Sequence, residues 1–257
     1  MLRAVFRLAL RQTEGLIGSI IRLLGLDLPV PDHTTLSRRA ATLEVPRPWS
    51  SNTEAGRDAE PTHLLVDSAG LKLCGPGEWL MEKHGTRTRR SWKKLHIGMD
   101  ADTGQIVASV LTDHDGDDGS QAGPLLDQVA RPVASFAGDG AYDQDGVDAS
   151  VGERRPAAAV IVPPRATAVP SKLAESEPTQ RDRHLQLIAE RGRIAWQEAS
   201  GYNNRARAET AIGRWKRVIG DGLGSHTDER RATEVNVAVY VLNRMLELGR
   251  PTYVRIA

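Results

Sequence analysis

Two aspartates stand at corresponding places in the sequence, each after an apolar run and before a turn that contains glycine. Asp67 follows the apolar residues 64–66, and Asp139 follows residues 133–138. We interpret both runs as strands, so the two carboxylates are expected at strand ends, where loops leave functional groups accessible. Carboxylates brought together repel one another, and a cation that prefers oxygen ligands, Mg²⁺ or Mn²⁺, relieves that repulsion. The alternative is that each aspartate only forms a turn.

A third acidic residue, Glu209, lies in a segment with helical periodicity over residues 204–220. At about 100° per residue, the apolar side chains of this segment fall on one face, while Arg205, Glu209 and Lys216 share a narrow polar stripe. A carboxylate between two cations suits a third metal ligand whose neighbours hold phosphate. The same spacing also suits an i,i+4 salt bridge with no further role.

Other types of catalytic centre are excluded by the motifs that the sequence lacks. It contains no Gly-x-Ser-x-Gly nucleophile motif, no Walker loop and no complete Gly-x-Gly-x-x-Gly. Cys74 is the only cysteine, which excludes an internal disulfide framework and suits a reducing cytoplasm. The seven histidines are scattered without metal-ligand spacing. The candidate chemistry therefore rests on the acidic residues.

The pattern of apolar residues indicates the elements that must position these side chains. Strands are predicted at 63–66, 94–99, 106–111, 133–136 and 160–162, and helices at 120–130, 143–154, 183–191, 204–220 and 227–248. A hairpin followed by strands that alternate with helices predicts an α/β fold, a mixed sheet flanked by helices, over residues 62–257. A stretch rich in proline and serine, residues 46–61, is interpreted as a linker.

Residues 1–45 are predicted to form a small helical region. The amphipathic pattern up to Leu24, a break over residues 25–31 and a second helix from Asp32 or His33 resemble a helix-turn-helix. Arg38 and Arg39 would then be exposed for DNA. The alternative is a helical hairpin that braces the main domain. No apolar run approaches the length of a membrane span, so no membrane association is expected.

The net charge of +1 hides a strong segregation of charge along the chain. Residues 82–96 carry a net +5 and residues 203–217 a net +4, whereas residues 100–118 contain six aspartates and no lysine or arginine. Basic stretches beside tryptophans suit a phosphate backbone with unpaired bases to stack. The alternative is that these stretches are ordinary solvated faces.

The spacing Tyr202-x2-Arg205-x3-Glu209-x6-Lys216 resembles the Y-(2)-R-(3)-E-(6)-K signature of the insertion-sequence DDE transposases of the IS4/IS5 kind. The segments around Asp67 and Asp139 look like the two aspartate blocks of that family. The resemblance covers roughly residues 60–250, and its specific part is the C-terminal signature. On this basis the chain is identified as similar to the IS5 family in particular.

The resemblance implies an RNase H-like fold in which Asp67, Asp139 and Glu209 are the catalytic and metal-binding triad. Tyr202, Arg205 and Lys216 would contact or orient DNA phosphates. Two Mg²⁺ ions, or Mn²⁺, would support cleavage of phosphodiester bonds at element ends and strand transfer of the 3′-OH into target DNA. The expected partners are double-stranded DNA, as terminal inverted repeats and target, and further copies of the chain in an active homo-oligomer.

The chain starts closer to its first helix than is usual in this family, and we therefore expect it to be truncated at the N-terminus. A truncated chain allows an alternative function, a catalytically idle DNA-binding remnant that inhibits intact transposase. A nuclease of the same fold with another substrate is a third hypothesis. For each of them we expect a cytoplasmic protein associated with the bacterial nucleoid.

Overall fold

The computed structural model describes residues 1–45, 60–73 and 92–249. Most of the predicted linker and the basic residues from Lys83 to Arg90 lie outside the described residues, as does Cys74. The described residues fall into two compact groups, 60–70 with 93–213, and 1–45 with 71–73, 92 and 214–249. Within the described ranges, no helix combines the length and the apolar character that a membrane crossing needs.

The described strands form one mixed sheet. They are Thr62–Leu73 (β1), Trp92–Asp100 (β2), Ile106–Asp113 (β3), Val133–Ala137 (β4), Ala159–Ile161 (β5) and Gly222–Leu223 (β6). Their order is β3-β2-β1-β4-β5, and β6 pairs with the last residues of β1. β2 and β3 are antiparallel around the predicted turn, whereas β1, β4 and β5 are parallel. This arrangement confirms the predicted mixed, RNase H-like sheet.

Strand β1 does not end at Asp67, so the prediction that this aspartate terminates a strand is wrong. β1 pairs with β4 only over residues 62–65, but it also neighbours β2 in the sheet, and its last residues Lys72 and Leu73 pair with β6. It is the neighbouring strand that ends. Leu65 pairs with Ala137, the last residue of β4, so Asp67 lies level with Asp139 on parallel neighbours. The two aspartates therefore lie side by side, Asp67 within a strand that continues and Asp139 just after the end of the neighbouring strand.

A continuous apolar core covers one face of the sheet. Leu64 and Val66 of β1 and Phe136 of β4 are fully buried against two helices, Ala122–Leu126 (α4) and Asp145–Arg154 (α5). α4 is shorter than the predicted helix over 120–130, because a 3₁₀ turn precedes it and the chain leaves the helix after Leu126. Burial of this face anchors the strand residues that precede Asp67 and Asp139.

Two further helices lead to Glu209. The helical segment α6 spans Gln180–Ser200 and begins three residues before the predicted helix 183–191, because Thr179 and Asp182 cap its start. It is interrupted at Gly192 (φ 83°, ψ 166°), next to the predicted end, and a second helical part then runs to Ser200. Gly201, with φ 72°, ends α6 in the left-handed conformation that glycine adopts without strain. The chain then makes a 3₁₀ turn, Tyr202–Arg205, and enters α7, Ala206–Val218.

The N-terminal residues form three helices, Leu2–Phe6 (α1), Leu10–Leu23 (α2) and His33–Thr42 (α3). Asp32 caps α3 by accepting the Thr35 amide hydrogen bond at 2.6 Å, in agreement with the predicted helix start. α3 packs against both α2 and the closing helix Asp228–Leu248 (α8). The predicted break is present, and nine residues separate α2 from α3, more than in a typical helix-turn-helix.

Candidate catalytic site

Asp67 projects from β1 with its side chain mostly buried. Its Oδ1 accepts a hydrogen bond from the backbone N–H of Ser68 at 2.9 Å. Burial raises the pKa of Asp67, and the nearby carboxylates of Asp139 and Glu209 raise it further, while the Ser68 amide and the Arg205 guanidinium act in the opposite direction. Asp67 is therefore close to both of the other predicted acidic residues.

Asp139 lies in the connection after β4, where it starts a 3₁₀ turn over Gly140–Tyr142. Its Oδ1 accepts the Ala141 amide at 2.9 Å, so the backbone turn fixes the carboxylate. The preceding residue must be small, because a Cβ on Gly138 would lie 2.7 Å from the Tyr142 ring. Tyr142 is almost fully buried and packs edge-on against Phe136, with ring centroids 5.9 Å apart. The core thereby holds the turn that carries Asp139.

Glu209 belongs to the first turns of α7. The inner face of this helix is buried through Ala208, Ala211 and Trp215, as its apolar periodicity predicts. Glu209 stays on the polar side, with 64% of its side chain exposed. A largely exposed carboxylate next to two more buried ones leaves the cluster accessible to a large substrate from the α7 side.

Arg205 joins the three carboxylates. Its Nη2 lies 3.3 Å from Asp67 Oδ1 and 3.6 Å from Asp139 Oδ2, and its Nη1 lies 2.8 Å from Glu209 Oε1. Only 15% of the Arg205 side chain is exposed. The polar stripe predicted for this helix is therefore an i,i+4 ion pair and at the same time part of a larger cluster. We call Asp67, Asp139, Glu209 and Arg205 the carboxylate cluster.

Tyr202 adjoins this cluster through Arg205. Burial raises the pKa of Tyr202, and the Arg205 guanidinium beside its hydroxyl opposes that rise. The Tyr202 ring packs on Trp196 at 5.2 Å, and Trp196 packs on His184 at 5.6 Å. The residues of the predicted signature up to Glu209 thus lie together, with an aromatic stack of α6 supporting the tyrosine.

The remaining predicted DNA contacts are placed on helices. Lys216 is an exposed residue of α7, two turns after Glu209. Arg38 and Arg39 are exposed on α3, and Arg38 donates to the Thr35 hydroxyl at 3.2 Å. All three side chains present their charge to solvent, as a phosphate contact requires.

The charge segregation has a partly internal explanation. Across the β2–β3 hairpin, Lys93 lies 2.8 Å from Asp113 and Lys94 lies 2.7 Å from Asp118. For these two lysines the interpretation as a basic DNA-binding stretch is therefore wrong, since the antiparallel register sets them against the aspartate-rich segment. The rest of that basic stretch, residues 83–90, lies outside the described residues.

Asp118 and Tyr142 are site neighbours that the sequence reasoning missed. Asp118 would have a raised pKa through burial, but His96, Lys94 and Ser68 together lower its pKa far below the usual range. The Tyr142 hydroxyl is buried without a hydrogen-bond partner among the described residues, and burial and the carboxylates of Asp118, Asp139 and Asp67 raise its pKa. Both residues lie in segments that the sequence had already indicated, Asp118 in the aspartate-rich stretch and Tyr142 in the segment around Asp139.

The donor atoms of the cluster suit a hard divalent cation. Asp67, Asp139 and Glu209 offer only oxygen, which Mg²⁺ and Mn²⁺ prefer. In the parts of the chain that the structure describes, no three His, Cys, Asp or Glu side chains are arranged to hold a metal ion directly. Instead a guanidinium takes the position of the cation between the carboxylates. The oxygen atoms of the cluster therefore suit a divalent metal ion, and in this structure Arg205 is the cation that lies among them.

Comparison with known protein families agrees with this geometry. A family model described as a transposase DDE domain matches residues 58–245, which include the whole carboxylate cluster. A second model of the same description matches residues 1–76, which include α1, α2, α3 and Asp67. The first match covers well over half of the chain. The protein therefore belongs to the DDE transposase family, DNA-binding proteins of transposition that are generally catalytic nucleotidyl transferases.

Proposed function

We propose that the chain is an insertion-sequence transposase of the IS5 family that cleaves phosphodiester bonds at element ends and transfers the 3′-OH into target DNA. The observation that carries this proposal is the convergence of Asp67, Asp139 and Glu209 on one cationic group. Three carboxylates from two neighbouring strands and one helix are an uncommon arrangement for stability alone, because their mutual repulsion opposes folding. The arrangement is useful where cations bind.

In this proposal the three carboxylates are the metal-binding and catalytic triad. Asp67 holds the buried side of the site, Asp139 is partly exposed, and the exposed Glu209 completes the site towards the substrate. Two Mg²⁺ ions, or Mn²⁺, when bound supply charge stabilisation at the phosphate and acidify coordinated water. No side chain of the chain acts as a nucleophile.

Tyr202, Arg205 and Lys216 are proposed to orient the DNA phosphates at this site. Arg205 lies within the cluster, and Tyr202 is fixed beside it by the Trp196 ring. Lys216 continues the same helix with an exposed ammonium group. A planar guanidinium and a separate ammonium point charge are a suitable combination for holding a DNA backbone in one orientation.

Residues 1–45 are proposed as a DNA-binding region that contributes Arg38 and Arg39, residues 46–61 as a linker and residues 62–257 as the catalytic domain. Support comes from the exposure of both arginines on a capped helix. Terminal inverted repeats and target DNA would be the ligands. A homo-oligomer would hold the two ends of the element together.

The test is incubation of the full chain with double-stranded DNA that carries element ends, in the presence of Mg²⁺. We expect nicking that is lost in Asp67→Asn, Asp139→Asn and Glu209→Gln, while DNA binding persists in a mobility-shift assay. Glu198→Gln, an exposed acidic residue of α6, is the matched control and should cleave normally.

Two other results would each replace this proposal. Binding without cleavage by the unmutated chain would identify an idle DNA-binding remnant. Cleavage that does not depend on the end sequence would identify a nuclease of the same fold.

A further inference from the structure

Arg205 is placed differently from a residue whose only role is to contact DNA. Its guanidinium bridges Asp67, Asp139 and Glu209 within 2.8–3.6 Å, and its side chain is as buried as that of Asp67. A residue that waits for an external phosphate would expose its charge, as Lys216 and Arg39 do.

The positive charge of Arg205 offsets the mutual repulsion of the three carboxylates in the cluster. Three carboxylates close together, two of them partly removed from water, strongly disfavour full ionisation unless a cation lies between them. A guanidinium is suited to this place because it carries five donors in one plane and stays charged at any relevant pH. Among the described residues, Arg205 is the cation within ion-pair distance of all three carboxylates.

A divalent cation needs the same oxygen atoms. It and the guanidinium repel each other, so both cannot occupy the centre of the cluster. Arg205 lies in the 3₁₀ turn just before α7, so exchange with a divalent cation would require its side chain to rotate away from the carboxylates. The withdrawn guanidinium would stay next to the site with its donors free for a phosphate.

We propose that Arg205 is the resident counter-cation of the carboxylate cluster and that it exchanges with a divalent cation. The residue then sets the metal affinity of the site and is released towards the substrate when the metal binds. This inference rests on the proposed function for the identity of the cluster. It extends that function, because it assigns Arg205 a role before DNA is present.

The test measures metal affinity without DNA and without activity. Free Mn²⁺ is followed by electron paramagnetic resonance while the full chain is titrated, in the unmutated protein and in Arg205→Gln. We expect Arg205→Gln to bind Mn²⁺ at least about tenfold more tightly, because one unit of positive charge next to the ligands has been removed. Arg191→Gln, which removes an exposed arginine of α6, is the charge-matched control and should leave the affinity unchanged.

Thermal unfolding provides a second readout of the exchange. Without metal, Arg205→Gln should melt below the unmutated chain, and Mn²⁺ should raise its melting temperature by a larger amount. If Arg205→Gln does not fold, Arg205→Lys serves instead. Its ammonium group cannot bridge all three carboxylates, so we expect affinity tighter than that of the unmutated chain by about threefold, since less of the competing interaction is lost.

Unchanged or weaker Mn²⁺ affinity in these variants would overturn the inference, as would the lack of Mn²⁺ binding by every variant. The proposed function fails separately. A chain that shows the expected change in Mn²⁺ affinity but does not cleave end-bearing DNA would keep the role of Arg205 and lose the transposase activity.

Discussion

Gly138 is expected to be the position where the smallest change does most damage to the site. In Gly138→Ala the new Cβ would lie 2.7 and 2.8 Å from two atoms of the Tyr142 ring and 3.1 Å from Val66 Cγ2. These contacts are at the base of a buried ring that is packed on Phe136, so the ring cannot rotate away as the tip of a flexible side chain would. Either Tyr142 or the backbone before Asp139 must move.

Overpacking of a well-packed core by one methyl group costs about 1–3 kcal/mol of unfolding free energy. We expect Gly138→Ala to fall in this range in urea denaturation at pH 7. Gly152→Ala is the control, since nothing lies within 4 Å of a Cβ there and the residue is inside α5. That substitution should stabilise the protein by about 0.5–1 kcal/mol, because alanine is the better helix former.

A double-mutant cycle tests whether the unfolding free energy lost in Gly138→Ala comes from the contact with the Tyr142 side chain. Tyr142→Ala is itself destabilising, but it removes Cγ and Cδ2, the two ring atoms that the new methyl group contacts. The cost of Gly138→Ala should then shrink by at least about 0.5 kcal/mol, which is the coupling expected for residues in contact. An unfolding midpoint for Gly138→Ala equal to that of the unmutated chain would refute the steric reasoning. So would an undiminished cost in the Tyr142→Ala background.

The remaining predictions concern Asp118 and the proposed DNA contacts. Asp118→Asn should lower the unfolding free energy by about 1–3 kcal/mol at pH 7. Folding lowers the pKa of Asp118, so the stability that this carboxylate contributes is present above about pH 4, the ordinary pKa of an aspartate, and is lost as the pH falls further. Urea curves that differ as much at pH 3 as at pH 7 would contradict this. Lys216→Ala should weaken DNA binding and reduce the slope of log K against log salt by about 1, measured by fluorescence anisotropy, and an unchanged slope would argue against a phosphate contact. Arg38→Ala with Arg39→Ala should weaken binding to end-bearing DNA while nicking by bound protein continues, and unaltered binding would remove α3 from the DNA interface.

Local elements followed well from the pattern of apolar residues. The hairpin over β2 and β3 and the closing helix α8 lie within a few residues of their predicted bounds, because a turn such as Asp102-Thr103-Gly104 and a continuous apolar stripe are local signals. The extent of β1 was not predictable in this way. Its continuation past Asp67 involves pairing with other strands, among them β6, about 150 residues further along the chain.

Helix α6 shows the same limit. Its capping residues Thr179 and Asp182 are visible in the sequence, and its first part ends at the break at Gly192, as predicted, but the second helical part up to Ser200 was not predicted. Burial of Trp196 against Tyr202 and His184 provides the tertiary packing that an isolated segment lacks. Packing of Trp196 against residues 6 and 12 positions away therefore supports a second helical part that weak local propensity alone does not indicate.

The sequence by itself determined the inventory of the candidate site. The residue types and spacing of Asp67, Asp139, Glu209, Tyr202 and Lys216 were enough to indicate the family, since a motif is a property of the order of residues along the chain. The periodicity of residues 204–220 also placed Arg205 and Glu209 on one polar stripe, since helical geometry is local.

Only the tertiary structure decided which charges meet. The parallel register of β1 and β4 brings Asp67 level with Asp139, and the approach of α7 sets Arg205 between them and Glu209. The hairpin likewise pairs Lys93 and Lys94 with aspartates. Coulomb energy depends on distance through space and on burial, and neither follows from separation along the chain.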